Sequence, residues 1–457
     1  MNYLSFHLIF IVIAQAITML HMLYLRRNHS TILAWLMVLM LFPYPAFVLY
    51  FIFGNRKIRQ KNTKKTLLLQ NVFSYTAPTN LNPIETVMKS HFLSTTTHTN
   101  NIKLYFNGVS AFDLLMDEIN NAQDSIYISI YIFKNDATTQ IILKALTDKA
   151  AHGVTIKLLI DSVGSYPLYF NQRSLKPLEK AGAHIVFFNS ILQNPFKNYL
   201  NLRNHRKIYI FDQQRVISGG MNLSEEYLGP KQSKERWADM LFQISGEAVL
   251  PYIQIFKADF EFASGENIPI EINKYDVLGE DSVQVVPSGP DIKSDALYEA
   301  LLSAIHAATQ RIWIVTPYFV PDDSILKALI IARHKSVDVK LITPRTSNHW
   351  IADITRSSYM RELEENGVAI LLHNGMMLHT KAIIFDDYAV MLGSVNIDNR
   401  SLFLNYEVVS FVYSKRIVVE VERWINDLTA GSIRKIKTAS YQRRILENFM
   451  RIFSPQL

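Results

Sequence analysis

Cysteine is absent from the 457 residues. Disulfides, thiolate nucleophiles and cysteine-ligated zinc or iron–sulfur clusters are therefore excluded. Compartment is not, since a disulfide-free protein can reside anywhere. Charge is sparse: 19% of residues are Asp, Glu, Lys or Arg, against 49% hydrophobic. That balance excludes a disordered chain and fits a large globular core plus a membrane segment. The length suits two or three domains. The formal charge of +7 suits an anionic partner without choosing between acidic lipid and nucleic acid.

Two stretches near the N-terminus lack charged side chains altogether. They run from about Leu4 to Tyr24 and from about Thr31 to Phe53. Each is long enough to cross a hydrocarbon core of about 30 Å. A signal peptide competes for the first, but the run is too long, no charged segment precedes it and a second apolar run follows at once. Arg26 and Arg27 lie between the runs, and Arg56, Lys57, Arg59, Lys61, Lys64 and Lys65 follow the second. Six cations outweigh two, so the larger C-terminal part is expected in the cytoplasm. Pro43 and Pro45 would kink the second run. A re-entrant hairpin is the alternative there, and it leaves the C-terminal part on the same face.

From about residue 100 apolar, strand-like runs (SIYISIYIF, VTIKLLI, KIYIFD) alternate with helix-like stretches, the pattern of an α/β fold. The order then recurs. Ile142–Leu146 before Val154–Leu158 is repeated as Ile325–Leu329 before Val337–Leu341, offset by 183 residues, and RIWIVTPYF echoes SIYISIYIF. The period is far too long for a solenoid and reads as two homologous lobes. A pseudo-twofold between them would bring equivalent motifs face to face. The expected organisation is a two-span anchor at 1–60 and a connecting segment at 61–100. A first lobe at 101–270 and a second at 271–457 follow, each a mixed sheet flanked by helices. An amphipathic helix over Tyr441–Phe453 ends the chain, with Arg443, Arg444 and Arg451 available to anionic headgroups. Packing against the second lobe is the alternative use of that helix.

Each lobe carries one copy of a motif. The first reads NHRKIYIFDQQRVISGGMN and supplies His205, Lys207, Asp212, Gly220 and Asn222. The second reads LHTKAIIFDDYAVMLGSVN and supplies His379, Lys381, Asp386, Ser394 and Asn396. His and Lys stand two apart on a strand-like run, so both side chains share a face. Ammonium neutralises phosphoryl oxygens, and imidazole serves as nucleophile or proton carrier near neutral pH. The glycine-containing turn lets backbone and asparagine approach an anion. Gly220 against Ser394 suggests a hydroxyl contact to phosphate on one side only. Asp212 and Asp386 complete the catalytic motif, but the period of two turns them away from the phosphate, so a supporting role is expected. Lysine beside each histidine would repel a metal ion, and no carboxylate cluster has ligand spacing. No catalytic metal and no other cofactor is expected.

With these motifs the sequence resembles the phospholipase D superfamily, named for paired HKD motifs, and more narrowly the bacterial cardiolipin synthases. The likeness extends to LAWLMVLMLFP, FIFGNRK, RNHRK, GGMNLSEEYLG, TPYFVPDD, VNIDNRSLFLNYEV and RIFSP. The resemblance implies phosphatidyl transfer from one phosphatidylglycerol to another, giving cardiolipin and glycerol. It implies His205 as nucleophile and His379 as general acid and base. Lys207, Lys381, Asn222 and Asn396 would hold phosphoryl oxygens, with the Gly220 and Ser394 turns beside them. The family also has a carboxylate downstream of each motif that orients the motif histidine. Asp239 and Glu407 are the candidates, and surface carboxylates are the plain alternative. The implied setting is a bacterial inner membrane, multi-pass, with cytoplasmic lobes. Phosphatidylglycerol and anionic lipid are the expected partners, nucleic acid is not, and homo-oligomerisation is left open. The rival activity is a membrane-bound phospholipase D or other phosphodiesterase that hydrolyses its ester.

Overall fold

The computed structural model describes residues 3–25, 29–53, 81–190 except 92 and 94, 201–270, and 279–454 except 293 and 453. The basic run from Arg56 to Lys65 and part of the expected lobe boundary near 265–276 lie outside the described residues.

The first lobe contributes β1 (Thr97–Tyr105), β2 (Ser125–Ile130), β3 (Thr155–Asp161), β4 (His184–Phe188), β5 (Ile208–Phe211), β6 (Arg215–Gly219) and β7 (Leu241–Ser245). The second contributes β8 (Asp281–Ser288), β9 (Arg311–Val315), β10 (Phe319–Val320), β11 (Asp338–Pro344), β12 (Ala369–His373), β13 (Ala382–Phe385), β14 (Ala389–Gly393), β15 (Ile397–Asp398) and β16 (Glu407–Val412). The strand-like runs are buried along their length, as β2, β5, β13 and β16 all are. Strands covered on both faces read as continuous apolar runs, and that is why the sequence announced them.

Two separate sheets were expected. Instead, fourteen strands form one sheet in the order β12-β11-β9-β13-β14-β16-β8-β1-β7-β6-β5-β2-β3-β4. The order is palindromic about β8-β1, whose antiparallel pairing joins the lobes. In each lobe three strands run parallel (β2-β3-β4 and β9-β11-β12), and the motif strand pairs antiparallel beside them (β5 and β13). The segment expected merely to connect anchor and first lobe does more. Its helix Pro83–Ser90, capped by Asn82, buries Ile84 and Met88. It packs on helix Ala296–Ala307 of the second lobe, where His91 Nε2 lies 2.7 Å from Glu299 Oε2.

The anchor also departs from the two-span expectation. Helix Tyr3–Tyr24 is one uninterrupted apolar rod, and its Phe6–Tyr24 portion is long and apolar enough to cross a membrane. The second run divides into helices His29–Leu41 and Pro43–Phe53. Pro43 lacks an amide proton and disfavours helical geometry at Phe42, while its own ring is welcome at a helix start. The two short helices fold back on each other: the Trp35 and Tyr50 rings lie 5.2 Å apart. A straight helix would hold residues that far apart in sequence about 22 Å apart. Tyr50 also meets His21 (2.7 Å), and Phe10 stacks on Tyr44, so the hairpin packs along the first helix. Neither arm, at 13 and 11 residues, reaches across about 30 Å of hydrocarbon alone.

Candidate active site

Each motif lies at the entrance to its strand, with His205 and Lys207 just before β5 and His379 and Lys381 just before β13. Four backbone hydrogen bonds then cross between lobes. His205 N donates to Tyr406 O (2.9 Å) and Tyr406 N to Arg203 O (2.9 Å). His379 N donates to Ala238 O and Ala238 N to Met377 O, both at 2.8 Å. These two short bridges set each histidine beside the carboxylate of the opposite lobe. Glu407 holds His205 Nδ1 through both oxygens (3.0 and 2.9 Å), and Asp239 Oδ2 holds His379 Nδ1 at 2.8 Å. Both carboxylates are fully buried. The two candidates expected to orient the imidazoles therefore do so crosswise. A carboxylate on Nδ1 sets that nitrogen as the protonated one and leaves Nε2 as the lone-pair nitrogen of each ring; His379 Nε2 also lies 3.1 Å from Lys381 Nζ.

The Gly220 and Ser394 turns back these pairs. Ser394 Oγ donates to Glu407 Oε2 at 2.5 Å and accepts from Val408 N. The serine hydroxyl thus serves the carboxylate, not a phosphate, which corrects the expectation. At Gly220 a Cβ would come within 2.4 Å of Asp239 Oδ1, so only glycine leaves room for the shorter acid. Asn222 Oδ1 accepts from Ile132 N at 3.2 Å, while its buried Nδ2 makes no well-formed hydrogen bond. The buried Oδ1 of Asn396 is likewise unmatched. Unsatisfied buried polar atoms are costly unless a ligand meets them.

Electrostatics tie the two motifs into one site. Burial lowers His205 to about 4, against the pull of Glu407, with Lys207 and Lys381 adding to the fall. Burial and Lys381 lower His379 to about 3, against Asp239. Burial also lowers Lys207 to about 7 and Lys381 to about 8. For Glu407, burial pushes upward but His205, Lys207 and Ser394 outweigh it and hold the carboxylate below its usual range. Burial thus favours neutral imidazoles and weakens the hold of both lysines on their protons.

The aspartates of the motif are elsewhere. Asp212 and Asp386 follow the far ends of β5 and β13 in left-handed turns (φ 50° and 47°). Asp212 accepts from Gln123, Asp124 and Ser125 backbone amides, and Asp386 from those of Thr309, Gln310 and Arg311. They tie the entries of β2 and β9 to the far ends of the motif strands; each lies past its strand, in the turn, so the end of the strand and not its alternation sets their place.

Sequence reasoning missed the aromatic walls. Tyr131 meets the His205 ring edge-on at 4.8 Å and carries Lys207 Nζ over its face at 5.3 Å. Tyr227 meets His379 at 5.0 Å, its hydroxyl 3.4 Å from Nε2, and Trp237 adds a tilted contact at 5.5 Å. Tyr131 closes the apolar run SIYISIY, where nothing separates a site residue from a core one. Arg206 was also missed. It is fully buried between Asp259 (2.6 Å) and Asp291 (3.3 Å) and pins the first motif to the second lobe. Among the described residues, no group of three His, Asp or Glu side chains is placed to hold a metal ion.

Residues 115–261 and 301–429 match the family described as "Cardiolipin synthase, PLD-like domain". The chain belongs to that family. Residues 8–55 match the phospholipase D-nuclease N-terminal family, which covers the apolar helix and its hairpin. Among curated relatives, a cardiolipin synthase of Clostridium perfringens is 33% identical, covering 94% of this chain and 95% of that one. Cardiolipin synthase 1 of Bacillus cereus is 32% identical over 94% and 90%. In fold, the chain is similar to phosphatidylserine synthase from Haemophilus influenzae, with TM-score 0.61, 14% identity, and coverage of 82% of this chain and 100% of that one. Both cardiolipin synthase-type domains of this chain are thus complete through their motifs, and the motif pair lies at the contact between them.

Proposed function

We propose that this cardiolipin synthase makes cardiolipin by two successive transfers at one phosphorus. The carrying observation is the pair of crosswise carboxylate–imidazole contacts, which engage Nδ1 of both histidines and leave Nε2 as the reacting nitrogen of each. His205 Nε2 attacks the phosphorus of the first phosphatidylglycerol. The P–O bond to the headgroup glycerol breaks, and the leaving oxygen takes a proton from His379 Nε2. The headgroup hydroxyl of a second phosphatidylglycerol then gives its proton back to His379 and attacks, breaking the N–P bond and freeing His205. Lys207, Lys381 and Asn222 hold the phosphoryl oxygens as charge develops. The entering phosphodiester brings its own negative charge beside His379, raising it toward a pKa at which it can carry a proton. Two in-line steps give retention at phosphorus, and no step requires a metal.

Labelled phosphatidylglycerol offered to the purified, membrane-reconstituted protein is expected to yield cardiolipin and free glycerol in equal amounts. His205→Ala and His379→Ala should each abolish both products. Phosphatidic acid without cardiolipin would replace this reading by hydrolysis. Overnight dialysis against EDTA is expected to leave the rate unchanged.

The hairpin supports a specific topology. If helix Tyr3–Tyr24 crosses and the two short helices dip in and return, Arg26, Arg27 and the basic run after Phe53 share the cytoplasmic side with both lobes. Two full crossings would instead strand Arg26 and Arg27 outside. An approximate twofold, suggested by the palindromic strand order, relates the lobes above that surface. Because the native chain has no cysteine, a single cysteine introduced at Asn28 reports the side directly. Membrane-impermeant maleimide should label it in inside-out vesicles and not in intact cells.

A further inference from the structure

The C-terminal helix Tyr441–Arg451 is turned inside out. A surface helix of a globular protein buries its apolar stripe and exposes its polar one. Here the single buried residue is Glu447, 1% exposed and ion-paired with Arg361 and Arg443 at 2.8 Å each. Asn448 accepts from Ser358 Oγ at 2.6 Å, and Arg451 pairs with Glu362 at 2.8 Å. Apart from Arg443, on the same helix, these partners lie on helix Trp350–Glu365, so the polar face is the docked face. The apolar residues point outward: Tyr441 is 80% exposed, Ile445 53% and Leu446 43%, with Phe449 and Ile452 beside them.

We propose that this outward face is seated in the headgroup region of an anionic bilayer and holds the active-site mouth against its lipid substrate. Three observations choose that occupant. The helix Phe6–Tyr24 is long and apolar enough to cross a membrane, which would keep a bilayer at hand. The charge is complementary: from residue 430 onward six cations stand against one acid, and although Arg443, Arg444 and Arg451 pair with Glu447, Glu365 and Glu362, Arg434, Lys435 and Lys437 make no ion pair among the described residues. The face is also continuous with the site. Just past its end, Ser454 O accepts from Asn399 Nδ2 at 3.2 Å, three residues beyond Asn396 of the second motif. At the same end Trp350, 69% exposed, opens the underlying helix, and the short helix Tyr166–Phe170 that follows β3 in the first lobe exposes both of its terminal aromatics. Amphipathic aromatics beside cations are what a membrane interface selects.

The lipid-directed reading of the active site enters only through the effect on turnover; the depth measurement stands without it. Full-length protein carrying Ile445→Cys, Leu446→Cys or, as an exposed control, Lys327→Cys is labelled with a bimane and reconstituted in phosphatidylglycerol–phosphatidylcholine vesicles. Lipids bearing a quencher near the headgroup should quench the labels at 445 and 446 at least about threefold more than the control, as seating about 5–10 Å into the headgroup–acyl boundary requires. Leu446→Asp should lower turnover on vesicles about tenfold and leave turnover on detergent-dispersed, short-chain phosphatidylglycerol unchanged, since only interfacial binding is lost. Equal quenching at all three positions overturns the proposal. So does a label shielded from water but not quenched by lipid, which would mean a second copy or another stretch of this chain covers the face. Equal loss of turnover in both assays would show that the helix supports the fold and not the membrane contact.

Discussion

Gly220 and Ser394 occupy equivalent motif positions yet do opposite things. The serine hydroxyl braces Glu407, and the missing side chain makes room for Asp239. Exchanging them should therefore be asymmetric. Gly220→Ser forces Asp239 off His379 and is expected to lower kcat about 10²-fold or more, because a carboxylate that no longer sets the tautomer costs that much in related dyads. Ser394→Gly removes one hydrogen bond to a charged acceptor and should cost about tenfold. Turnover of both variants, with unchanged circular dichroism, checks this. The lysines carry a pH signature. Burial lowers Lys207 to about 7 and Lys381 to about 8, so each is a cation below those values and neutral above them. A bound anion needs the cation, and competitive inhibition by sulfate, whose own charge is constant, should weaken as pH rises from 7 to 9. Ordinary lysines near 10.5 would show no change there. The sequence made these side chains legible because a period of two puts His and Lys on one face. It could not show who orients whom, since the pairs join residues 202 and 140 apart.

At the scale of elements, the two motif aspartates act as clamps between a strand and the segment entering its neighbour. Asp212→Asn keeps the size but weakens acceptance from three backbone amides. Each poorly met donor costs about 1–3 kcal/mol, so the melting temperature should fall by several degrees. The kcat of protein that remains folded should change less than about threefold, which separates a clamp from a catalyst. Strand alternation argued for a supporting role, but both aspartates sit in turns past their strands, where alternation no longer applies. The anchor was only half legible. Pro43 marked the break in the second apolar run, but apolar composition cannot distinguish a bent span from a hairpin. Aromatic packing of Tyr44 and Tyr50 on the first helix decided it. The C-terminal helix was legible as amphipathic, and only its partners told which stripe faces the protein.

Across the whole molecule, the internal repeat predicted two lobes and missed that they share one sheet. Repetition specifies each lobe's strands, β1 and β8 included as equivalents, but not that these two pair with each other. The crosswise bridges follow from that joint, and they make a test by mutant cycle. Ser394→Ala should have no further effect in a Glu407→Gln background, since the hydroxyl acts through that carboxylate, whereas its effect should multiply with that of Asp239→Asn in the other pair. A full Ser394→Ala effect in the Glu407→Gln background would contradict that contact.

The central claim is that His205 carries the phosphatidyl group and His379 the proton. A phosphatidyl ester of p-nitrophenol needs no proton on its leaving group, so it isolates the first step. His379→Ala should release about one equivalent of nitrophenolate in a burst and leave an acid-labile phosphatidyl group on the peptide containing His205, while His205→Ala should show neither. A burst from His205→Ala with the label on the His379 peptide would reverse the roles, and the absence of a burst and of any adduct in every variant, including the unaltered enzyme, would contradict a covalent intermediate altogether.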